Sequence, residues 1–382
     1  MANYGYEIVN GRKIRVRPKE TVSEIDKNGY FRRQPNHFTT PFGDGENDLK
    51  AEGNKRYRLV WAKLCHWSNR AAIVRELEGL EDQISVNMVE HAPHEKNLGW
   101  EYVYNENNID PMLGDQFLSE AYYRADDDYQ GRTTVPALID TTTGKVVNND
   151  YNWLTTYFEI NFRPWHKKGA PELYPVELRE EIDKMNLWLF DNINNAVYRS
   201  SFSRSNEGHF DGVNTFYAAM DRLEKRLETN RFLFGDYVTD SDIRLYVTLA
   251  RLDIRYTAQL GETKHPLYTY KNLWGYAKEL WEIPAFTHHT DFAAIIRQGR
   301  IAGEEDGFRA STHYDLALPK IDWDAQWKVS TERAYLSSDP THPIYLGNNR
   351  RFDIDPTWYD LGAESPKKEE KETPPSCGCC CG

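Results

Sequence analysis

Between residues 55 and 90 the hydrophobic pattern changes period twice, and this limits the fold more than any other feature of the chain. Tyr57-Arg58-Leu59-Val60-Trp61-Ala62 reads as a buried strand. Trp67 to Leu80 reads as a helix with Ala71, Ile73, Val74 and Leu77 on its inner face and Gly79 near its end. Ile84 to Val89 then alternates as a second strand. The result is a strand–helix–strand unit with a cysteine, Cys65, at the start of its helix. Two short strands, 135–139 and 145–147, follow with a Thr143-Gly144 turn between them. Asp150 is placed to cap a helix through Trp153, Leu154 and Phe158. From 173 to 297 the period is helical throughout. Leu178, Ile182, Met185 and Leu189 form one stripe, and Val213, Phe216, Met220, Leu223 and Leu227 a second. Ile243, Val247, Ala250 and Ile254 form a third, opened by the capping pattern Thr239-Asp240-Ser241-Asp242.

These patterns divide the chain. Residues 1–54 read as an extended polar and aromatic arm. Residues 55–162 form an α/β domain with an irregular acidic insertion at 91–130, and 163–171 a linker. Residues 173–297 form an all-helical domain. Residues 298–382 form an irregular C-terminal extension with a Cys-rich tail. A length of 382 residues suits two domains. The net charge of −12 argues against a nucleic-acid binder, which needs a cationic face. No apolar run reaches the length of a membrane helix, and the N-terminus has no secretory signal pattern, so neither membrane nor nucleic acid is an expected partner. Four of the five cysteines lie in the tail, Cys377 and Cys379 to Cys381. One cysteine in the folded body cannot build a disulfide framework, so a cytoplasmic location is expected.

The chemistry concentrates at few places. A cysteine at a helix N-terminus faces unpaired N–H groups and the positive end of the dipole, which favour thiolate. The competing reading of Cys65 is a small buried hydrophobe. His66 adds positive charge there if protonated. Val135-Pro136 stands before a strand, where a cis proline would free Val135 to pair with an extended peptide. Asp150 stands at a helix start that either binds a carboxylate or simply caps. His91 and His94 read as solvated loop residues. No HExxH, CxxC, GxSxG, Walker A or GxGxxG pattern is present, and no metal is expected. The tail reads as an accessory segment.

Together these motifs resemble the Xi class of the glutathione transferase superfamily, the glutathionyl-hydroquinone reductases, over about residues 28–297. Phe31-Arg32-Arg33-Gln34-Pro35 is similar to that family's F-x-R-Q-P, and Leu64-Cys65-His66-Trp67-Ser68-Asn69-Arg70 to its A-C-P-W-A-H-R. Gly99-Trp100, residues 129–138, 147–150, 191–198 and Gly235 to Leu245 track it as well. The resemblance implies a thioredoxin-like domain joined to a glutathione-transferase-type helical domain, with a cleft between them. It implies no bound cofactor, glutathione or another small thiol as co-substrate, and a homodimer. Cys65 would attack the sulfur of a glutathionyl-hydroquinone, and a second glutathione would resolve the mixed disulfide. Tyr198 would hold the phenolic oxygen. Trp100, Val135, Pro136, Asp150 and Tyr151 would hold glutathione, with Arg33 and Trp67 beside them. The chain departs from the family in four places, one of them the C-terminal tail. His66 replaces proline after the cysteine, and Asp150-Tyr151 replaces a Glu-Ser pair. Arg297-Gln298-Gly299-Arg300 stands where the family has a second substrate tyrosine, with Tyr314 a substitute. Other reactions of a Cys65 thiolate in the same cleft stay open: disulfide reduction, dehydroascorbate reduction and reductive dehalogenation. So does a non-catalytic binding scaffold.

Overall fold

The computed structural model describes residues 5–16, 23–91, 98–261, 265–301, 321–330, 332–338, 340 and 344. His94, Tyr314 and the tail cysteines lie outside the described residues. Strand β3 (Tyr57–Trp61) is buried at all five positions because it lies inside a sheet. It pairs in parallel with β4 (Ile84–Met88), Leu59 opposite Val86, and antiparallel with β7 (Ala137–Asp140), Leu59 opposite Leu138. Strand β8 (Lys145–Asn148) completes the order β4-β3-β7-β8. The parallel pair needs a crossover, and α1 (His66–Leu77) supplies it. Strand periodicity then splits the core. Leu59 and Leu138 face a cluster with Ile73, Val74, Leu77, Leu154 and Phe158, shared by α1 and α3 (Leu154–Ile160). Val60, Ala137 and Ile139 face the opposite cluster with Leu118, Ala121 and Tyr122.

That second cluster corrects the irregular reading of 91–130. The segment contains the short pair β5 (Glu90–His91) and β6 (Trp100–Glu101) and the helix α2 (Leu118–Ala125). The Glu120 carboxylate closes the first turn of α2 by accepting from the Gln116 and Phe117 N–H groups at 2.7 and 3.0 Å. His91 is correspondingly a strand residue stacked on Trp100 (ring centres 3.8 Å apart), not a solvated loop histidine. The arm is also more than extended chain. It starts with a hairpin of β1 (Gly5–Val9) and β2 (Arg12–Val16), turned by Asn10-Gly11 with both residues at positive φ. Ile14 and Val16 bury against Leu98 and Phe117.

The helical half runs α4 (Arg179–Leu189), α5 (Ala196–Phe202), α6 (Asn206–Arg226), α7 (Asp240–Arg251), α8 (Thr257–Leu260), α9 (Lys271–Trp281), α10 (Pro284–His289) and α11 (Phe292–Ile301). Its first stripe is fully buried: Leu178, Ile182, Met185 and Leu189. The Asp242 carboxylate accepts from both the N–H and the hydroxyl of Thr239, at 2.8 and 2.9 Å, which starts α7. π-helical turns follow α4 (Phe190–Asn194) and α7 (Leu252–Tyr256). The extension beyond 298 is not irregular where it is described. α11 runs through that boundary, and α12 (Trp323–Trp327) sets Trp327 against Trp274 and Phe292. Arg333 donates to the carbonyls of Leu227, Asn230 and Arg231. Among the described residues no helix is long and apolar enough to cross a membrane.

Candidate active site

Cys65 is the N-cap of α1, in extended backbone conformation. It retains 9% of its surface, and its thiol donates to the Val135 carbonyl at 3.7 Å. The Val135-Pro136 bond is cis. Two side chains fix the loop that carries the sulfur. Ser68 accepts from the Ala62 N–H at 3.1 Å and lies 3.1–3.2 Å from the Ala62 and Cys65 carbonyls. Arg251, fully buried on α7, reaches across from the helical half. Its guanidinium donates to the carbonyls of Lys63, Leu64 and Val247 and to Asn69 Oδ1 at 2.8–3.2 Å. A buried cation is tolerated when its donors are spent in this way.

Aromatic rings surround the sulfur. Trp67, Trp100, Val135 and Tyr151 share one buried cluster with Cys65, and Tyr198 and Phe190 pack against it from the helical half. Trp67 lies 4.7 Å from Tyr151 and 5.8 Å from Tyr198, centre to centre. The arm closes over them. The Arg33 guanidinium sits 4.6 Å from the Trp67 ring and 4.4 Å from the Tyr198 ring, and its Nε donates to Asn195 Oδ1 at 3.0 Å. Asp150 Oδ1 accepts from Asn36 Nδ2 at 2.8 Å and from the Asn152 N–H at 3.0 Å. Asp150 thus closes the turn ahead of α3 and does not cap that helix, whose N-cap is Trp153 without a side-chain bond. The other carboxylate oxygen takes no part in these bonds.

His66 differs from its sequence reading. It is 1% exposed, and burial, reinforced by the charges of Arg251 and Arg33, pushes its pKa well below the usual histidine range. The ring is neutral and brings no positive charge to Cys65. Its Nδ1 lies 3.2 Å from Thr248 Oγ1 and 3.1 Å from the Tyr256 hydroxyl. The Tyr256 ring lies 6.5 Å from that of Tyr198, centre to centre. Burial raises both phenols, and the nearby Cys65 charge raises Tyr198 further.

Buried donors without partners collect at this end of α1. Arg33 Nη2, His66 Nε2, Trp67 Nε1, and Nε and Nη2 of Arg70 have no hydrogen-bond partner among the described residues. Burial pushes Arg70 down to about 9, and the like charge of Arg244 adds to the effect. Unmet donors are costly in a protein interior, and their gathering round one sulfur marks a place for a ligand rich in acceptor oxygens.

Comparison with known proteins agrees with this geometry. The glutathione S-transferase C-terminal domain model matches residues 197–279. The omega-like glutathione S-transferase 2 of Schizosaccharomyces pombe is 34% identical over 280 residues, 70% of this chain and 88% of that one. The glutathionyl-hydroquinone reductase YqjG of Escherichia coli is 33% identical over 240 residues, 63% of this chain and 73% of that one. Its glutathione-bound structure superposes with a TM-score of 0.66 at 28% identity, covering 80% of this chain and 97% of YqjG. The Xi transferase of Phanerochaete chrysosporium gives a TM-score of 0.64 at 33% identity, covering 69% and 90%. The chain belongs to the Xi-class glutathione transferases. It is an enzyme of the glutathione transferase type, with the thioredoxin-like and helical halves of that fold.

Within this Xi-class chain the structure brings Cys65, Trp67, Trp100, Val135, Tyr151, Tyr198 and Arg33 into one neighbourhood, while Pro136 follows Val135 through the cis bond and Asp150 precedes Tyr151 with its Oδ1 bonded to Asn36. Sequence reading missed Arg70, Thr248, Arg251 and Tyr256. Arg70 belongs to the matched Cys65–Arg70 run, so a signal for it was present. The other three lie on the helical half, and only the fold brings them to the cysteine. Among the described residues no group of three or more His, Cys, Asp or Glu side chains is placed to hold a metal ion.

Proposed function

We propose that the chain is a glutathione-dependent reductase of glutathionyl-hydroquinones, with Cys65 as the nucleophile. One observation carries the reading: an N-cap sulfur beside the Val135 carbonyl, ringed by aromatic side chains and by buried donors that lack acceptors. Glutathione has two carboxylates and two peptide carbonyls, which suits such donors. In this reading Val135 offers its backbone to the thiol peptide, and Pro136, Trp100, Asp150 and Tyr151 line its seat. Arg33 and Trp67 cover it. A flat hydroquinone lies between the rings, with its oxygen at Tyr198.

The chemistry follows from the bonds. The Cys65 thiolate attacks the sulfur of the adduct, an S–S bond forms and the ring C–S bond breaks. On an aromatic ring that electron pair would be stranded on carbon. In the keto tautomer it moves through the ring onto the oxygen, which becomes a phenolate while the ring becomes aromatic. The ring is reduced by two electrons and sulfur is oxidised to the disulfide. A second glutathione thiolate then attacks the Cys65 disulfide, releasing oxidised glutathione and the free thiolate. Tyr198 donates to the oxygen on which charge develops.

The test is turnover of glutathionyl-menadione by the full-length protein, with mass spectrometry of the trapped intermediate. The expected result is reduction well above buffer and one glutathione mass on Cys65. No turnover and no adduct on Cys65 would overturn the reading. An adduct from a different small thiol only would replace the donor and keep the nucleophile.

A further inference from the structure

Arg33 comes from the N-terminal arm, yet its place in the cleft is fixed from both halves of the molecule. On the helical side the Gly29 carbonyl accepts from the Arg204 N–H at 2.7 Å, and the Phe31 N–H donates to Ser203 Oγ at 3.0 Å. On the α/β side the Gln34 side chain pairs with the Arg132 N–H and carbonyl at 2.8 and 3.1 Å. The Glu24 carboxylate accepts from the Arg132 guanidinium at 2.8 and 2.9 Å and from the Gln34 N–H at 2.7 Å. Between these fastenings the Arg33 guanidinium lies over the Tyr198 and Trp67 rings, 4.4 and 4.6 Å from their centres. Tyr151 is farther, at 5.7 Å. Nε is spent on Asn195 Oδ1, whereas Nη2 is buried and has no hydrogen-bond partner among the described residues. The ring faces offset part of the cost of burying the cation, but they do not satisfy an N–H at its edge.

An acceptor brought by the ligand would complete this donor, and two are available: a glutathione carboxylate or the oxygen of the leaving ring. Position favours the oxygen. Asn195 is the N-cap of α5 and Tyr198 its third residue, so the arginine is moored to the element read as holding the phenolic oxygen. Glutathione's carboxylates stand at the two ends of the tripeptide, away from the sulfur in its middle. The Tyr198 hydroxyl lies at the rim of the ring that Arg33 covers, so one acceptor can meet both donors. We infer that Arg33 is a catalytic residue of the reduction, joining Tyr198 in a two-donor seat for the oxygen on which charge develops. The inference rests on the hydroquinone-adduct reading above. As the S–S bond forms and the ring C–S bond breaks, the electron pair reaches that oxygen. The guanidinium stabilises the phenolate by a charge-assisted hydrogen bond and keeps its protons. The phenolate takes a proton from water after release.

The experiment compares Arg33→Met and Arg33→Lys on two substrates of the same cysteine: glutathionyl-menadione, which releases a phenolic oxygen, and bis(2-hydroxyethyl) disulfide, which does not. Arg33→Met should lower kcat for the quinone adduct about a hundredfold, with the KM for glutathione little changed. Arg33→Lys keeps the charge without the planar fork and should fall between it and the wild type. Disulfide reduction should stay within about threefold for both. Equal losses on the two substrates would overturn the inference. So would a raised KM for glutathione with kcat unchanged, which would give Arg33 to the peptide instead. Should Arg33→Met fail to fold, Arg33→Lys carries the same comparison alone. Should the wild-type protein reduce the disulfide but not the quinone adduct, the substrate reading itself falls and takes this inference with it, an outcome distinct from a defect seen only in the variants.

Discussion

The two ends of α1 are built on opposite principles. At the C-terminal end the charged groups stand within ion-pair distance of protein partners, though Glu78 Oε2 and His289 Nε2 make no hydrogen bond. Arg75 donates to the Ile84 and Glu81 carbonyls, Glu76 faces His288 and His289 at 2.7 and 3.0 Å, and Glu78 faces His166 at 2.9 Å. His166 comes from the linker and His288 and His289 from α10, so this end ties three segments together. At the N-terminal end the loop backbone is held tightly by Arg251 and Ser68, yet Arg33, Trp67 and Arg70 keep unmet donors. Pairing stabilises a fold, whereas withheld pairing reserves binding capacity for a ligand and lowers stability until one arrives.

Four measurements sharpen or break that contrast. The largest effect is expected from Cys65→Ser, which should lower thiol-dependent turnover by about a thousandfold or more while far-UV circular dichroism stays native. Retention of more than a tenth of the activity would place the nucleophile elsewhere. Next is Arg251→Leu, which leaves the Lys63 and Leu64 carbonyls unpaired. Urea unfolding should show a loss of about 3 kcal/mol or more. A neutral result would mean that the loop does not depend on this clamp.

The third concerns pH. Burial pushes His289 down to about 4 in the folded protein, whereas an unfolded histidine titrates near 6.5. Between these values the unfolded chain binds more protons, so stability should rise with pH across that window. His66 acts in the same direction. For His289 the gain is about 3 kcal/mol at most, and His289→Asn should flatten the slope between pH 4 and 6.5. An unchanged slope would show that His289 does not titrate as its burial implies. The smallest change is Arg70→Met. Removing a buried cation that faces Arg244 should leave the melting temperature unchanged or higher, while glutathione binding weakens about tenfold by calorimetry. A clear fall in melting temperature would show that Arg70 is structural, and the contrast between the helix ends would lose one of its members.

Much of the fold was readable because it is local. The switch of period around α1, the Thr239-Asp242 cap and the stripe from Leu178 to Leu189 are decided by residues a few positions apart. Asn10-Gly11 carried an equally local hairpin signal within a segment read as an arm. α2 was hidden for a different reason. Its helix is eight residues long and lies between acidic turns, and Leu118, Ala121 and Tyr122 acquire meaning only against β7 and β8. In the site, Cys65 was legible from its place at a helix start. The state of His66 was not, since the histidine is charged or neutral according to burial by residues some 180 positions away.

The sequence by itself determined the strand–helix–strand unit around α1 and the long helical stripes, which cysteine stands at a helix N-terminus, and the Xi-class motifs that run through the two halves. Only the tertiary structure decided that Arg251 spends its donors on the cysteine loop, that His66 is neutral, and that Tyr256 stands behind Tyr198. Element formation depends on neighbours along the chain. Protonation, hydrogen-bond direction and unmet donors depend on what excludes water, and that is set by contacts between distant segments.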